Sequence, residues 1–218
     1  MGLADYRDMH KGETAWVIGS GSSLNYIDPR FFDHKLCVCV NFSGVSTGLT
    51  EFYSVSHHHN DADQIAQMRP DLTVFTTEVE QLPSEDRSPC PASEPNVIKV
   101  PTIEQKYAAF NPFDHWPDDP DTLIVGPSSI HLTMHLAAYM GADHIVMVGA
   151  DCGEYDGAAR VTGYEHPEGL LHFDVWRNAL ESMAGKLRQL GISVHSLNPW
   201  VTPTLEGHKY RSGAITIN

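Results

Sequence analysis

Two glycines and three serines follow the first apolar run of the chain, in the order Gly19-Ser20-Gly21-Ser22-Ser23. Glycine lets the backbone pass close to a phosphate, and the N–H groups at the start of a following helix attract anions. The turn therefore predicts a nucleotide-phosphate site, with a tight structural turn as the alternative. On the first interpretation, a side chain at Gly21 should block the ligand and leave the chain folded.

Polar residues also follow later apolar runs. Asn41 ends the run 36–40, where a dinucleotide-binding protein carries an acid, and this disfavours NAD. Ser128 and Ser129 open a predicted helix, where capping and ligand contact fit equally well. Asp151 follows the run 144–148 and could hold a ligand group, orient a base or cap the turn.

The glycine-rich stretch after Asp151 carries Tyr155, Tyr164 and His166, and His172 stands just beyond it. An imidazole with a pKa near neutrality can deprotonate a sugar hydroxyl. For each histidine taken alone, an ordinary loop role is the alternative.

Apolar runs alternate with helical patterns along the chain. The predicted strands are 14–18, 36–40, 52–56, 72–76, 144–148 and 193–196, and the predicted helices are 61–69, 129–140 and about 170–190, with a short helical segment in 24–32. Prolines recur between 78 and 121, so we expect an ordered insertion or lid there, without long helices or central strands. This order predicts a single Rossmann-like α/β domain over 1–218, with a mainly parallel sheet and helices on both faces.

Composition narrows the function classes. The 218 residues carry a formal net charge of −14, which disfavours nucleic acid as a partner. We expect a cytoplasmic protein, because neither a leader peptide nor an apolar stretch of membrane-spanning length is visible. Cys37 and Cys39 lie in an apolar run and are predicted to be reduced thiols. A homo-oligomer is left open.

Two clusters suggest metal ligands but are not predicted to be metal sites. In His57-His58-His59, neighbouring side chains on a strand point to opposite faces. In Asp118-Asp119-Pro120-Asp121, the proline-rich context favours a solvated loop. We therefore predict neither a bound metal nor another cofactor.

Four segments together resemble a known superfamily: VIGSGSSL, the strand-ending Asn41, GPSS before a helix, and GADHIVMVGAD. They are similar to the bacterial sialyltransferases of glycosyltransferase family 42, to the motility accessory factors that modify flagellin, and to archaeal 6-hydroxymethylpterin diphosphokinase. The likeness covers roughly 15–56 and 123–199 and leaves out the proline-rich segment.

The resemblance implies that the turn 19–23 and Asn41 hold a nucleotide, and that Ser128 and Ser129 face the same pocket. By the same likeness, Tyr155 or Tyr164 steadies a leaving phosphate. His172, with His166 close behind, matches the general base by its place before a long helix. The tyrosine that directly follows the family's Gly-x-Asp motif is replaced here by Gly153.

Three functions follow as hypotheses. The first is metal-independent transfer of a sugar, such as a sialic-acid-like one, from a CMP-linked donor to a glycan or protein acceptor. The second is Mg-ATP-dependent pyrophosphoryl transfer to a pterin, with Asp151 and nearby acids on the metal. The third is a non-catalytic nucleotide-binding module.

The first hypothesis predicts that His172→Ala lowers the turnover of a glycosyl transfer by about 10²–10⁴-fold, because a general base is lost. Affinity for CMP should be nearly unchanged, because the base contacts the acceptor, and His166→Ala should do much less. Initial rates and CMP affinities of both variants check this. A dead His166→Ala beside an active His172→Ala would reverse the assignment.

Overall fold

The computed structural model describes residues 2–78, 93–104, 116–155, 157–164, 173–197 and 209–210. Its strands are β1 (Thr14–Ile18), β2 (Leu36–Val40), β3 (Tyr53–Ser56), β4 (Val74–Thr77), β5 (Val97–Val100), β6 (Thr102–Glu104), β7 (Leu123–Val125), β8 (His144–Val148), β9 (Glu154–Tyr155), β10 (Ser193–Ser196) and β11 (Lys209–Tyr210). Seven of them form one parallel sheet in the order β10-β8-β1-β2-β3-β4-β5. The pairs β6-β7 and β9-β11 are separate.

The strands at the centre of the sheet, β1, β2 and β8, are mainly apolar because both faces of the sheet are covered. All five residues of β2 are buried, and Val17 of β1 lies between Val38 and Met147 of its neighbours. Parallel strands enclosed in this way read as continuous hydrophobic runs rather than as alternating patterns. This explains why the predicted bounds of β1, β2 and β8 match the structure; those of β10, a half-exposed edge strand, match as well.

Helices lie on both faces of the sheet, as the sequence predicted. They are α1 (Ser43–Ser46), α2 (His59–Met68), α3 (Ser129–Tyr139) and α4 (Phe173–Gln189), with 3-10 helices at Leu3–Tyr6, Ser22–Tyr26 and Pro29–Phe32. One face packs Ala15 and Val17 of β1 against α3 and α4. On the other, α2 packs on Val74. Among the helices described, none is long and apolar enough to cross a membrane.

The proline-rich segment departs from the expected insertion. Within its described part, residues 97–100 form β5, the edge strand beyond β4, and 102–104 form β6, which pairs with β7. Prolines at 95 and 101 flank β5, which an edge position tolerates. A four-residue run between prolines gives too weak a pattern to predict a strand.

Helix α3 is more deeply buried than its predicted apolar stripe indicates. Every residue from Ser129 to Ala137 is buried, His131 and His135 included. The ring of His131 donates through Nδ1 to the carbonyl oxygen of Ser128 at 2.8 Å, and Nδ1 of His135 accepts from the Ile124 N–H at 2.9 Å. Burial lowers the pKa of His131 to about 4 and that of His135 to about 3.

These histidines predict acid-sensitive stability. Their pKa values in the folded chain lie below the unfolded value near 6.5, so the stability they contribute is present above pH 6.5 and falls as the pH drops towards 4. Each adds up to about 1.4 kcal/mol per pH unit to the slope. The stability measured by urea unfolding between pH 7.5 and 5 should be less pH-dependent for His131→Leu, because the titrating imidazole is removed. The Ser128 carbonyl oxygen still accepts the backbone N–H of position 131 in this variant. Parallel pH profiles would contradict this.

Candidate functional site

The turn after β1 lies at the topological switch point of the sheet, where the strand order reverses: the chain continues to β2 on one side of β1, and β8 lies on the other side. In open α/β sheets, ligands bind outside the carboxyl ends of the strands at such a point. Here the turn is pressed against the segment after β8. The Gly19 N–H donates to the carbonyl oxygen of Val148 and the Gly21 N–H to that of Gly149, both at 2.7 Å.

The two glycines are required by this close approach. A Cβ on Gly19 would overlap the carbonyl oxygen of Gly149. A Cβ on Gly21 would lie 2.7 Å from the same oxygen and still closer to the carboxylate of Asp151. A side chain on Gly21 would therefore press on the protein itself, so we expect such a change to lower the stability of the fold as well as to affect any ligand.

Asp151 fastens the same turn. Its Oδ2 accepts from the Ser23 N–H at 2.8 Å and its Oδ1 from the Ser23 hydroxyl at 2.5 Å. The carboxyl is buried, and this burial raises its pKa while the two bonds from Ser23 oppose the rise. Of the three roles considered for Asp151, the structure displays the capping one.

Because Gly19, Gly21 and Ser23 already donate their N–H groups within the protein, a phosphate over the turn would need donors other than these three groups. The segment 157–164 lies against the turn and carries one such donor, which is described below. Val161 donates its N–H to the Ser20 carbonyl oxygen at 2.9 Å. The Ser22 hydroxyl donates to the carbonyl oxygen of Ala158 at 2.6 Å, so Ser22 serves to hold this segment.

Arg160 is the cation that this segment carries to the turn. Its Nη1 donates to the Ser20 hydroxyl at 2.6 Å, and its guanidinium carbon lies 5.4 Å from the ring centroid of Tyr164 and 5.8 Å from that of Trp176. It forms no ion pair with a carboxylate of the described residues. In a chain with a net charge of −14, such an arginine stands out as a candidate anion-binding group.

Asn41 lies beside this cluster and is fixed by β3. Its N–H donates to the Val55 carbonyl oxygen at 2.8 Å, the Ser54 hydroxyl donates to its carbonyl oxygen at 2.9 Å, and its φ of 48° is left-handed. The side-chain Nδ2 donates to the Tyr164 hydroxyl at 3.4 Å. Its Oδ1 is buried without a hydrogen-bond partner among the described residues.

Tyr164 joins these groups. Burial raises the pKa of its phenol, and the bond from Asn41, the charge of Arg160 and a contact with Ser20 oppose the rise. Tyr155, the other predicted tyrosine, is buried with its ring centroid 5.0 Å from that of Tyr26. The structure brings both tyrosines to predicted nucleotide residues, but in different ways: the backbone carbonyl oxygen of Tyr155 accepts from the Ser22 hydroxyl at 3.3 Å, whereas Tyr164 meets Asn41 through its phenol.

The amino end of α3 makes a contact that the sequence did not predict. The hydroxyl of Ser129 lies 2.5 Å from Nδ1 of His57, while Ser128, the N-cap residue, makes no side-chain capping bond. Within the described ranges, no group of three or more His, Cys, Asp or Glu side chains could hold a metal ion. His166 and His172 lie outside the described residues.

Sequence reasoning missed Arg160. One signal pointed to it: Arg160 is the only lysine or arginine between positions 107 and 176. No protein-family model matches the chain, and neither a curated protein nor a solved structure matches it significantly. The site is therefore argued from its own geometry.

The packing of the turn predicts that Gly21→Ala destabilises the chain by about 1–3 kcal/mol, the usual cost of overpacking. Gly185→Ala is the matched control, since Gly185 lies within α4 with nothing within 4 Å of its Cβ position. That change should stabilise by roughly 0.5–1 kcal/mol. Urea unfolding of both variants measures the difference, and a neutral Gly21→Ala would show that the turn tolerates a side chain.

Proposed function

We propose that this protein is a glycosyltransferase that takes a sugar from a CMP-linked donor, sialic-acid-like in type, and passes it to a surface glycan or to a protein such as flagellin. The donor phosphate lies at Arg160 and Ser20, above the turn after β1. A cytoplasmic location belongs to the same proposal.

The observation that carries the proposal is Arg160 at the carboxyl edge of a parallel sheet, where it forms no ion pair with a carboxylate of the described residues. Its hydrogen bond to Ser20 and the rings of Tyr164 and Trp176 orient the guanidinium without neutralising it. Guanidinium groups bind phosphate oxygens through paired hydrogen bonds, which are stronger than neutral ones. One cation suits the single phosphate of a CMP-linked donor.

Asn41 adds a second argument. A buried acceptor without a partner is destabilising, so Oδ1 favours a ligand that brings a donor such as a ribose hydroxyl or a base amino group. The bonds to β3 fix this residue independently of any ligand. Its position beside Tyr164 lets one nucleotide reach both residues.

The chemistry divides between the two sides of the donor. In an inverting transfer, the acceptor hydroxyl loses its proton to a base, its oxygen bonds to the anomeric carbon, and the bond from that carbon to the phosphate oxygen breaks. Tyr164 and Arg160 are placed to stabilise the negative charge that the leaving CMP gains. His172, or His166, remains the proposed base on the strength of the resemblance.

The arrangement of Asp151 favours this reaction over magnesium-dependent pyrophosphoryl transfer. Both oxygens of its carboxylate accept hydrogen bonds from Ser23, so Asp151 already has a structural role in the turn, which the sugar-transfer proposal leaves in place. A metal-independent donor reaction needs no such ligand.

We expect CMP to bind the wild-type chain without magnesium and Arg160→Gln to weaken that binding by about 10–100-fold, the effect of losing a charge-assisted hydrogen bond. Calorimetric titration measures this. Arg30→Gln is the control, because Arg30 is exposed and already forms an ion pair with Asp28. The unfolding temperature of each ligand-free variant shows whether the fold is retained.

Equal CMP affinity in Arg160→Gln and wild type would contradict the proposal. Magnesium-dependent binding of ATP without binding of CMP would favour the pterin reaction. CMP binding with no turnover of a CMP-linked sialic acid on any acceptor would favour a binding module.

A further inference from the structure

A cavity of about 620 Å³ lies at the amino ends of β1 to β4, the opposite end of the sheet from the site above. Strands of five residues separate the two ends by about 17 Å, so one small ligand does not reach both. Cavities of this size commonly enclose small molecules. Its lining comes from the segments that lead into the four strands.

A hydrogen-bonded chain of three side chains forms one wall. Oε1 of Glu13 lies 3.2 Å from Nδ1 of His10, and Nε2 of His10 lies 3.2 Å from the Tyr53 hydroxyl. Burial raises the pKa of the Tyr53 phenol, so this group is neutral and offers a hydrogen bond near pH 7. The wall therefore presents fixed polar groups to the cavity.

Charges alternate along the cavity in strand order. Glu13 precedes β1, Lys35 precedes β2 and Glu51 precedes β3, and neighbouring strands lie about 4.8 Å apart. Lys35 lies with its ammonium 4.6 Å from the ring centroid of Phe31. Neither Lys35 nor Glu51 forms an ion pair within the described part of the chain.

The neighbouring acid differs, because Asp71 is engaged by Arg69 at 2.7 Å. Within the described part of the chain, the groups without an ion pair are thus the ammonium of Lys35 and the carboxylate of Glu51, which precede neighbouring strands. Leu36, Phe52 and Leu72 add apolar surface to the same cavity. This combination complements a molecule that carries both charges and a hydrocarbon portion.

We propose that this cavity is a second binding site, for a small zwitterion of the α-amino-acid type. The ligand carboxylate pairs with Lys35, its ammonium with Glu51, and its side chain lies against the apolar wall. The inference is independent of the proposed glycosyl transfer, since the two sites share no residue.

The test uses the twenty free amino acids as probes, titrated into the full chain and followed by calorimetry. At least one should bind with a dissociation constant on the order of millimolar or tighter. Two analogues of the best-binding amino acid, the amine that lacks its carboxylate and the acid that lacks its amino group, should each bind about tenfold more weakly, because each loses one ion pair. Absence of binding by all twenty, or equal binding of a singly charged analogue, overturns the proposal.

Variants locate the site. Lys35→Met and Glu51→Gln should each weaken the amino acid about tenfold, while Glu181→Gln on the exposed side of α4 and Arg160→Gln should leave it unchanged. The CMP affinity of Lys35→Met and Glu51→Gln should equal that of wild type, so the two sites fail or succeed separately. Retained amino-acid binding in both cavity variants overturns the assignment.

Discussion

The rest of the site depends on the contact between the turn after β1 and the segment after β8. Two backbone hydrogen bonds and the Asp151 carboxylate join them, and only glycine at positions 19 and 21 permits the approach. This contact lies at the topological switch point, where the strand order of the sheet reverses. It also sets the surface on which the segment 157–164 lies, so the placement of Arg160 and Tyr164 depends on the absence of side chains at positions 19 and 21.

Closing the turn in this way changes what binds a ligand. In a dinucleotide-binding turn, backbone N–H groups face the phosphate. Here those of Gly19, Gly21 and Ser23 donate to other parts of the protein, so in the proposed nucleotide site these three groups do not contact the phosphate and a side chain is proposed to bind it. Arg160 supplies the charge and Asn41 supplies an unsatisfied acceptor. The same glycine pattern therefore serves packing first, with recognition built on top of it.

The fold could be predicted from the sequence because buried parallel strands are written as continuous apolar runs, as in β2 and β8. The gathering of polar residues at the carboxyl ends followed from the same logic, and Ser20, Asn41 and Tyr164 do meet. Periodicity could not place Arg160, because it is a single residue in an irregular segment; its isolation as the only lysine or arginine between positions 107 and 176 was the one signal. The bond between Asp151 and Ser23 likewise has no local signature.

The Asp151–Ser23 bond spans 128 positions of the chain. A contact between such distant positions closes a long loop, and the pairing of β1 with β8 brings its two ends together. The candidate site is thus assembled only when β8 has joined the sheet, and a partly folded chain holds the turn without its partner. A nucleotide bound as we propose would then contact only the completed fold, and it would stabilise that fold relative to partly folded chains.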